Sequence, residues 1–159
     1  MEKSEEGLRP KKPTATVKQN EKKWTKELMS GGWTAIPSII LERQDALGLE
    51  PIDINIIMQL SRYWWTKDNL PHPSKSTLAK CIGKSESTIR RRIAVLEELG
   101  FIKRHKRYNS KGSQISNFYS FEGLIEEATP YATEFMDQKQ KQRKENQKRI
   151  KRKKPVISS

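Results

Sequence analysis

Apolar residues recur at helical spacing in three consecutive stretches in the middle of the chain: 53–65, 75–82 and 86–99. In the third stretch Ile89, Ile93 and Leu96 are spaced so that their side chains stack along one side of a helix. Each of these patterns predicts an amphipathic helix that turns one side towards a core. A shorter helix is predicted at 38–46, directly after Pro37.

Two strands are predicted after the third helix: 101–108 is rich in apolar, aromatic and basic residues, and 114–121 alternates between apolar and polar residues. Lys111 and Gly112 lie between the strands and indicate a tight turn. The two strands are therefore expected to pair as an antiparallel β-hairpin. The expected fold class is mainly α with one small β-hairpin.

Capping residues divide the helical part of the chain. Asp53, Ser74 and Ser85 each precede a helical pattern, and their short polar side chains can accept hydrogen bonds from free first-turn amides. Gly83 ends the second helix because glycine readily adopts the left-handed conformation of a C-terminal cap. The turn 83–85 is short enough to make the second and third helices cross steeply.

The composition predicts a central domain with polar extensions on both sides. Residues 1–23 lack apolar periodicity and are expected to be disordered or loosely attached. The domain is predicted at 24–130, with its core between residues 53 and 121. A last helix at 122–128 is expected to end before Pro130, since an interior proline removes a backbone donor. Residues 131–159 are expected to form a basic, low-complexity tail, and the pattern leaves open whether the helix resumes from Tyr131 or the tail is disordered.

The net charge is +13 and the isoelectric point is about 9.9, which favours a polyanionic partner. Residues 75–111 contain 11 basic and 3 acidic residues, and residues 137–159 contain 10 basic and 2 acidic residues. No apolar run is long enough to span a membrane, and the N-terminus lacks a secretory signal pattern. The lone Cys81 suits a reducing cytoplasm and is expected to be buried.

The third helix is predicted to expose a polar and basic side. With Ile89 at 0°, a rotation of about 100° per residue puts Arg90 at ~100°, Ser87 at ~160° and Arg91 at ~200°. Arginine can donate two hydrogen bonds to the O6 and N7 atoms of guanine, and serine can reach base edges. Together with Ser85, these side chains are the predicted base-contacting set. The competing interpretation is a solvated helix face paired with nearby glutamates.

The run PHPSKSTLAKCIGKSESTIRRRIAVLEELGFIKR resembles the winged helix-turn-helix domains of bacterial regulators and of phage and plasmid replication initiators. The resemblance extends over residues 70–119. It implies that helix 86–99 lies in the major groove of duplex DNA. It also implies that the hairpin 101–121, the wing, contacts the phosphate backbone or the minor groove.

Phosphate contacts are predicted around the start of the second helix, where free amides and the helix dipole favour anions. This predicted set comprises Ser74, Lys75, Ser76, Thr77, Lys84 and Arg92. In the wing, the predicted contacts are Arg104, Lys106, Arg107 and Lys111. Plain helix capping by Ser74 and protection of an exposed strand edge by lysine are the alternative roles.

Catalytic and metal-binding patterns are absent from the sequence. Two histidines and one distant cysteine do not have the spacing of a metal site, and there is no phosphate-binding loop or nucleophile motif. The chain is therefore not expected to be an enzyme or to bind a cofactor or metal. The expected partner is double-stranded DNA, with a homodimer formed through 24–41 or 124–136 as a further hypothesis.

Sequence-specific DNA binding in transcription regulation is the leading functional interpretation, and a cytoplasmic location is expected. Initiation of phage or plasmid DNA replication is the alternative, because both functions use the same domain. An interaction adaptor is less favoured, since the exposed side of the third helix is basic rather than apolar. RNA binding is favoured only by the basic tail.

Overall fold

The computed structural model describes residues 14–151 and divides into two compact units, Met1–Thr34 and Ala35–Ser159. In the first unit, α1 (Ala15–Trp24) begins after Thr14, whose hydroxyl accepts a hydrogen bond from the amide of Val17. A short α2 (Lys26–Ser30) follows. Within residues 1–23, which are expected to be disordered or loosely attached, residues 15–23 are helical and therefore not disordered, while residues 1–13 lie outside the described part.

The second unit contains five helices and one hairpin within the described residues. In chain order these are α3 (Ser38–Glu42), α4 (Pro51–Ser61), α5 (Lys75–Ile82), α6 (Glu86–Glu98), β1 (Lys103–Tyr108), β2 (Gln114–Ser120) and α7 (Glu122–Lys151). The predicted fold class, mainly α with a small antiparallel hairpin, is confirmed. The compact unit begins at Ala35 rather than at the predicted residue 24.

The core of this unit lies between α4, α5 and α6. Its fully buried side chains include Ile56, Leu60, Leu78, Ile89, Ile93 and Leu96. Burying an aliphatic side chain of this size stabilises a fold by about 1.5–3 kcal/mol. The apolar stripe of α6 predicted from spacing is therefore the side that holds this helix in place.

The start of α4 differs from the prediction by two residues. The helix begins at Pro51, a favoured first residue because its missing amide would be unpaired there anyway. Asp53 lies at the third helical position and accepts a hydrogen bond from the backbone amide of Glu50 at 2.8 Å. The carboxylate thus caps the helix from inside its first turn.

The turn between α5 and α6 has the predicted form. Gly83 adopts φ 74° and ψ 35°, and its amide donates to the carbonyl of Ala79. Ser85 then begins α6 by accepting a hydrogen bond from the amide of Thr88. Gly83 ends α5 in the left-handed conformation, and Ser85 caps the start of α6. Only residues 83–85 therefore separate the two helices, which cross at this turn.

The hairpin is antiparallel, with Lys103 opposite Ser120 and Tyr108 opposite Gln114. The pairing register shifts between His105 and Arg107, where one residue of β1 lies opposite two residues of β2, 116 and 117, in a bulge. The amide of Tyr119 donates to the carbonyl of Pro71 at 2.9 Å. This bond attaches the hairpin to the loop that precedes α5.

Helix α7 continues through Pro130, so the predicted interruption is wrong. Proline forfeits one helical hydrogen bond, but Ala128 before it is buried and Tyr131 after it packs against the core. Packing on both sides of Pro130 therefore keeps the helix in one piece. Residues 133–151 of the predicted tail are helical and exposed, and residues 152–159 lie outside the described part.

Cys81 is exposed rather than buried. Leu78 and Ala79 are the buried residues of α5, and Cys81 lies beside the guanidinium of Arg62, with Nη1 and Sγ 3.8 Å apart.

Candidate nucleic-acid interface

The exposed side of α6 presents Ser87, Arg90 and Arg91 to solvent. Ile89 and Ile93, which are fully buried, hold the opposite side against the core. Within residues 14–151 neither Arg90 nor Arg91 forms an ion pair with a carboxylate. Both guanidinium groups are therefore free to donate hydrogen bonds to a ligand that approaches this side.

Arg92 points the other way and leaves the predicted phosphate-contacting set. Its Nε and Nη2 atoms donate to the two carboxylate oxygens of Asp53, at 2.9 and 2.7 Å. A further contact joins Nη1 to Glu50 at 3.3 Å. The hydrogen bond to Asp53 raises the pKa of Arg92. Arg92 thus fixes α6 against the start of α4 instead of facing a ligand.

Both serine caps have hydroxyl groups that are already engaged. Ser85 Oγ accepts from the amide of Thr88 at 3.2 Å and lies 3.0 Å from Ser87 Oγ. Ser74 Oγ accepts from the amide of Thr77 at 3.0 Å. These bonds show the capping role, and any contact of these serines with a ligand would have to coexist with it.

A notch of about 420 Å³ opens between the first turns of α5 and α6 and the strand β2. It is lined by Ser74, Lys75, Ser76, Glu86, Gln114, Ile115, Ser116, Asn117 and Tyr119. Lys75 is partly buried there, and this burial, followed by the nearby charges of Arg104 and Arg90, lowers its pKa. An anion placed in the notch would offset the positive charges that face one another.

The wing carries fewer free cations than the sequence predicts. Lys106 and the turn residue Lys111 are exposed. The side chain of Arg107 lies over the ring of Phe118, 5.3 Å from its centroid, and is partly buried. Lys111 follows a turn in which Asn109 Oδ1 accepts from the amides of residues 111 and 113. Lys111 therefore stands at an ordered hairpin tip.

Arg104, which the sequence predicts to contact DNA, is instead held by Glu97 of α6. Its Nε donates to Glu97 Oε2 at 2.7 Å, its Nη2 contacts the same oxygen, and its amide donates to Oε1 at 3.2 Å. These hydrogen bonds lower the pKa of Glu97. Arg104 joins the base of the wing to α6, and so sets the position of the hairpin beside the exposed side of that helix.

Some relevant residues are missing from the predicted set. Lys103 is exposed at the start of β1, and Gln114 and Asn117 of β2 line the notch opposite Lys75. Period-two alternation along the strands could have indicated which residues share a face. The pairing of Glu97 with Arg104 had no such signal, because it depends on where the hairpin folds back.

Other kinds of site are not supported by the part of the chain that the structure describes. Among residues 14–151 no group of three His, Cys, Asp or Glu side chains could hold a metal ion. In the same range no helix is both long enough and apolar enough to cross a membrane. The basic surface around α6 and the wing is therefore the site with the clearest chemistry.

Comparison with known proteins identifies part of this structure. Residues 47–102 match the family model of a helix-turn-helix domain, and the chain matches no curated protein. It is similar to a solved chain from Methanosarcina mazei Go1 described as a possible transcriptional regulator, at 19% identity and a TM-score of 0.41. That similarity covers 68% of this chain and 85% of the other. Residues 47–102, with the hairpin that follows them, form a winged helix-turn-helix, and this part of the chain is similar to the helix-turn-helix domains that the family model describes.

Proposed function

We propose that this protein binds double-stranded DNA in a sequence-specific manner and regulates transcription, with α6 in the major groove. The observation that carries the proposal is the pair Arg90 and Arg91, which are exposed and have no ion-pair partner among residues 14–151. They lie in the first half of α6, the part of such a helix that meets base edges. Each can form a two-bond contact with guanine, worth about 1–3 kcal/mol of discrimination.

Phosphate binding is proposed for the notch between α5, α6 and β2. Lys75 supplies the charge, and Ser76 lies beside it in the first turn of α5, where the helix dipole favours an anion. The amide of Thr77, in the same turn, already donates to Ser74, so a phosphate contact of Thr77 would use its side chain. Lys84 is exposed in the turn before α6 and extends this surface. Such contacts position a protein on the duplex without choosing its sequence.

The wing is proposed to contact the backbone or the minor groove through Lys106 and Lys111. Both are exposed, and the bonds of Asn109 hold the turn that carries Lys111. Arg104 and Arg107 would support the hairpin rather than contact DNA, because one bonds to Glu97 and the other lies over Phe118.

Initiation of DNA replication remains the second candidate, because an initiator would use the same surface. The location of the preferred site distinguishes the two functions. A site that overlaps a promoter and changes reporter expression supports regulation, whereas a site inside an origin that is required for plasmid maintenance supports initiation.

The direct test is selection of random duplexes by the purified protein, followed by binding titrations with the winning and scrambled sites. We expect Arg90→Ala and Arg91→Ala each to reduce the preference for the winning site by about 1–3 kcal/mol. Lys67→Ala, an exposed cation outside the proposed interface, is the matched control and should leave the preference unchanged. If Arg90→Ala and Arg91→Ala preferred the winning site as strongly as the control Lys67→Ala does, the proposed role of α6 would be wrong.

A further inference from the structure

Helix α7 separates its charges into two halves. Residues 122–137 contain five acidic and no basic residues: Glu122, Glu126, Glu127, Glu134 and Asp137. Residues 138–151 contain one acidic residue, Glu145, and seven basic ones: Lys139, Lys141, Arg143, Lys144, Lys148, Arg149 and Lys151. A helix with a net charge of −5 in its first half and +6 in its second attracts a copy of itself that runs the opposite way.

One exposed stripe of α7 has the spacing of a coiled-coil seam. Its members alternate by four and three residues: Ile125, Thr129, Ala132, Met136, Lys139, Arg143, Asn146 and Ile150. Ile125 is 50% exposed, Met136 52% and Ile150 83%. Leu124 and Ala128, by contrast, are buried against the core. Ala132 is partly buried and the other members are exposed, so the stripe is a separate side of the helix that the described chain leaves largely uncovered.

We propose that α7 is a homodimerisation element that pairs antiparallel with α7 of a second copy of this chain. The predicted twofold axis passes between Asp137 and Gln138. In a parallel pair, the acidic halves would lie side by side, and so would the basic halves. Antiparallel pairing replaces both repulsions with attractions, and it also opposes the two helix dipoles favourably.

The same axis brings the stripe into register. Residues at equal distances from it form the layers, so Ile125 lies level with Ile150 of the other copy. Thr129 is matched with Asn146, Ala132 with Arg143 and Met136 with Lys139 by the same rule. The stripe has two types of position, because its spacing alternates between four and three residues. Each layer joins one type to the other, as in antiparallel coiled coils. The overlap of 26 residues, 125–150, corresponds to roughly 39 Å of helix.

Charged residues off the stripe follow the same register. Glu126 flanks the stripe and lies level with Arg149 of the other copy, which flanks it too. Glu127 with Lys148 and Glu134 with Lys141 are also level, but they lie on the outer sides of the two helices. Packed helices are about 8–10 Å apart, which is close to the screening length at physiological salt, so the attraction acts mainly through Glu126 and Arg149, and added salt should weaken it.

An apolar groove lies at each end of the proposed helix pair. A groove of about 660 Å³ runs beside the start of α7, lined in part by Trp64, Trp65, Phe121 and Ile125. Trp65 is 72% exposed there. Ile150 of the second copy, level with Ile125, would cover this groove. Ile150 and Trp65, which are both highly exposed in the single chain, would then be shielded from water.

Charge reversal tests the pairing without any DNA, so its outcome is independent of the proposed function. One variant carries Glu126→Lys with Glu127→Lys, and the other carries Lys148→Glu with Arg149→Glu. All four side chains are exposed, so both variants should fold. By sedimentation at low salt, the unaltered chain should dimerise, and each variant alone should dimerise at least about tenfold more weakly. An equimolar mixture should recover the dimer, since each altered half then faces its complement.

Cross-linking tests the orientation in a Cys81→Ser background. Ala132→Cys together with Arg143→Cys should give a disulfide-linked dimer under mild oxidation. Ala132→Cys alone should not, because antiparallel pairing holds the two copies of residue 132 about 16 Å apart along the axis. A monomer at every concentration, a dimer that both reversals leave intact, or efficient cross-linking through residue 132 alone would each overturn the proposal.

Discussion

The guanidinium of Arg92 on α6 forms a two-bond ion pair with Asp53 on α4, with nitrogen–oxygen distances of 2.9 and 2.7 Å. Asp53 is fully buried, and its Oδ2 also accepts from the amide of Glu50. The pair connects residues 39 positions apart and joins α6 to the start of α4. It acts together with the buried stripe Ile89, Ile93 and Leu96, which turns Arg90 and Arg91 outward.

Removing Arg92 should destabilise the fold strongly. Arg92→Met leaves the Asp53 carboxylate buried without its cation, and loss of one member of such a pair costs about 3–5 kcal/mol. Arg91→Met is the matched control at the adjacent, exposed position and should change stability by no more than about 0.5 kcal/mol. Denaturant unfolding of both variants gives the comparison. Equal free energies of unfolding would contradict the structural role of the pair.

The Glu97–Arg104 pair should make stability depend on pH. The hydrogen bonds from Arg104 lower the pKa of Glu97 in the folded state, so its contribution is fully present above about pH 4.5, the ordinary glutamate value. It should be lost as the pH falls through the lowered pKa. The difference in stability between the unaltered chain and Glu97→Gln should therefore shrink in acid. Glu98→Gln, at the exposed neighbouring position, should show no such trend; a difference that stays constant with pH would refute this linkage.

The exposed side of α6 was predictable because it depends only on local spacing. Once Ile89, Ile93 and Leu96 define the buried stripe, the direction of Arg90 and Arg91 follows from the helical repeat. The same rule put Arg92 near the edge of the core, where its partner decides its role. That partner is distant in sequence, so no local pattern distinguishes a phosphate contact from an internal ion pair.

The course of α7 was not predictable from local preferences. Pro130 indicates a helix end, and the polar residues after it indicate a tail. Tertiary contacts decide otherwise, because Tyr131 packs against the core and Arg43 lies over its ring at 5.9 Å. The separation of charge within residues 122–151 was visible in the sequence, but its meaning depends on those residues forming one helix.

Lys75 should contribute to DNA affinity while weakening the free protein. Burial and the charges of Arg104 and Arg90 lower its pKa, so its positive charge is less favourable in the folded chain than in the unfolded one. Lys75→Met should therefore raise the free energy of unfolding. The same change should weaken binding to all duplexes and reduce the slope of log affinity against log salt by about 0.9.

Lys80→Met is the control for this pair of measurements, since Lys80 is exposed on the same helix. It should raise stability less than Lys75→Met. If Lys75→Met left the salt dependence of binding unchanged, phosphate would not occupy the notch.

The basic half of α7 should add affinity that is independent of sequence. Lys141 and Lys144 are exposed and lie off the stripe proposed for dimerisation, so they remain available to phosphates in a dimer. Changing both to glutamine should weaken binding to specific and scrambled duplexes by the same factor. The salt slope should fall by about 0.9 for each phosphate that is no longer neutralised. A selective loss of affinity for the specific site would instead assign these lysines to base recognition.

Gly123 should be irreplaceable at the start of α7. A methyl group there would overlap the carbonyl oxygen of Gly100, and that backbone cannot easily move because the amide of Leu124 donates to Phe101 at 3.1 Å. Gly123→Ala must separate the helix from the end of α6, at a cost of about 1–3 kcal/mol or more. Glu122→Ala, at the exposed position beside it, should cost about 0.5 kcal/mol or less. Thermal unfolding that ranked the two variants equally would show that α7 is not held against α6 by this contact.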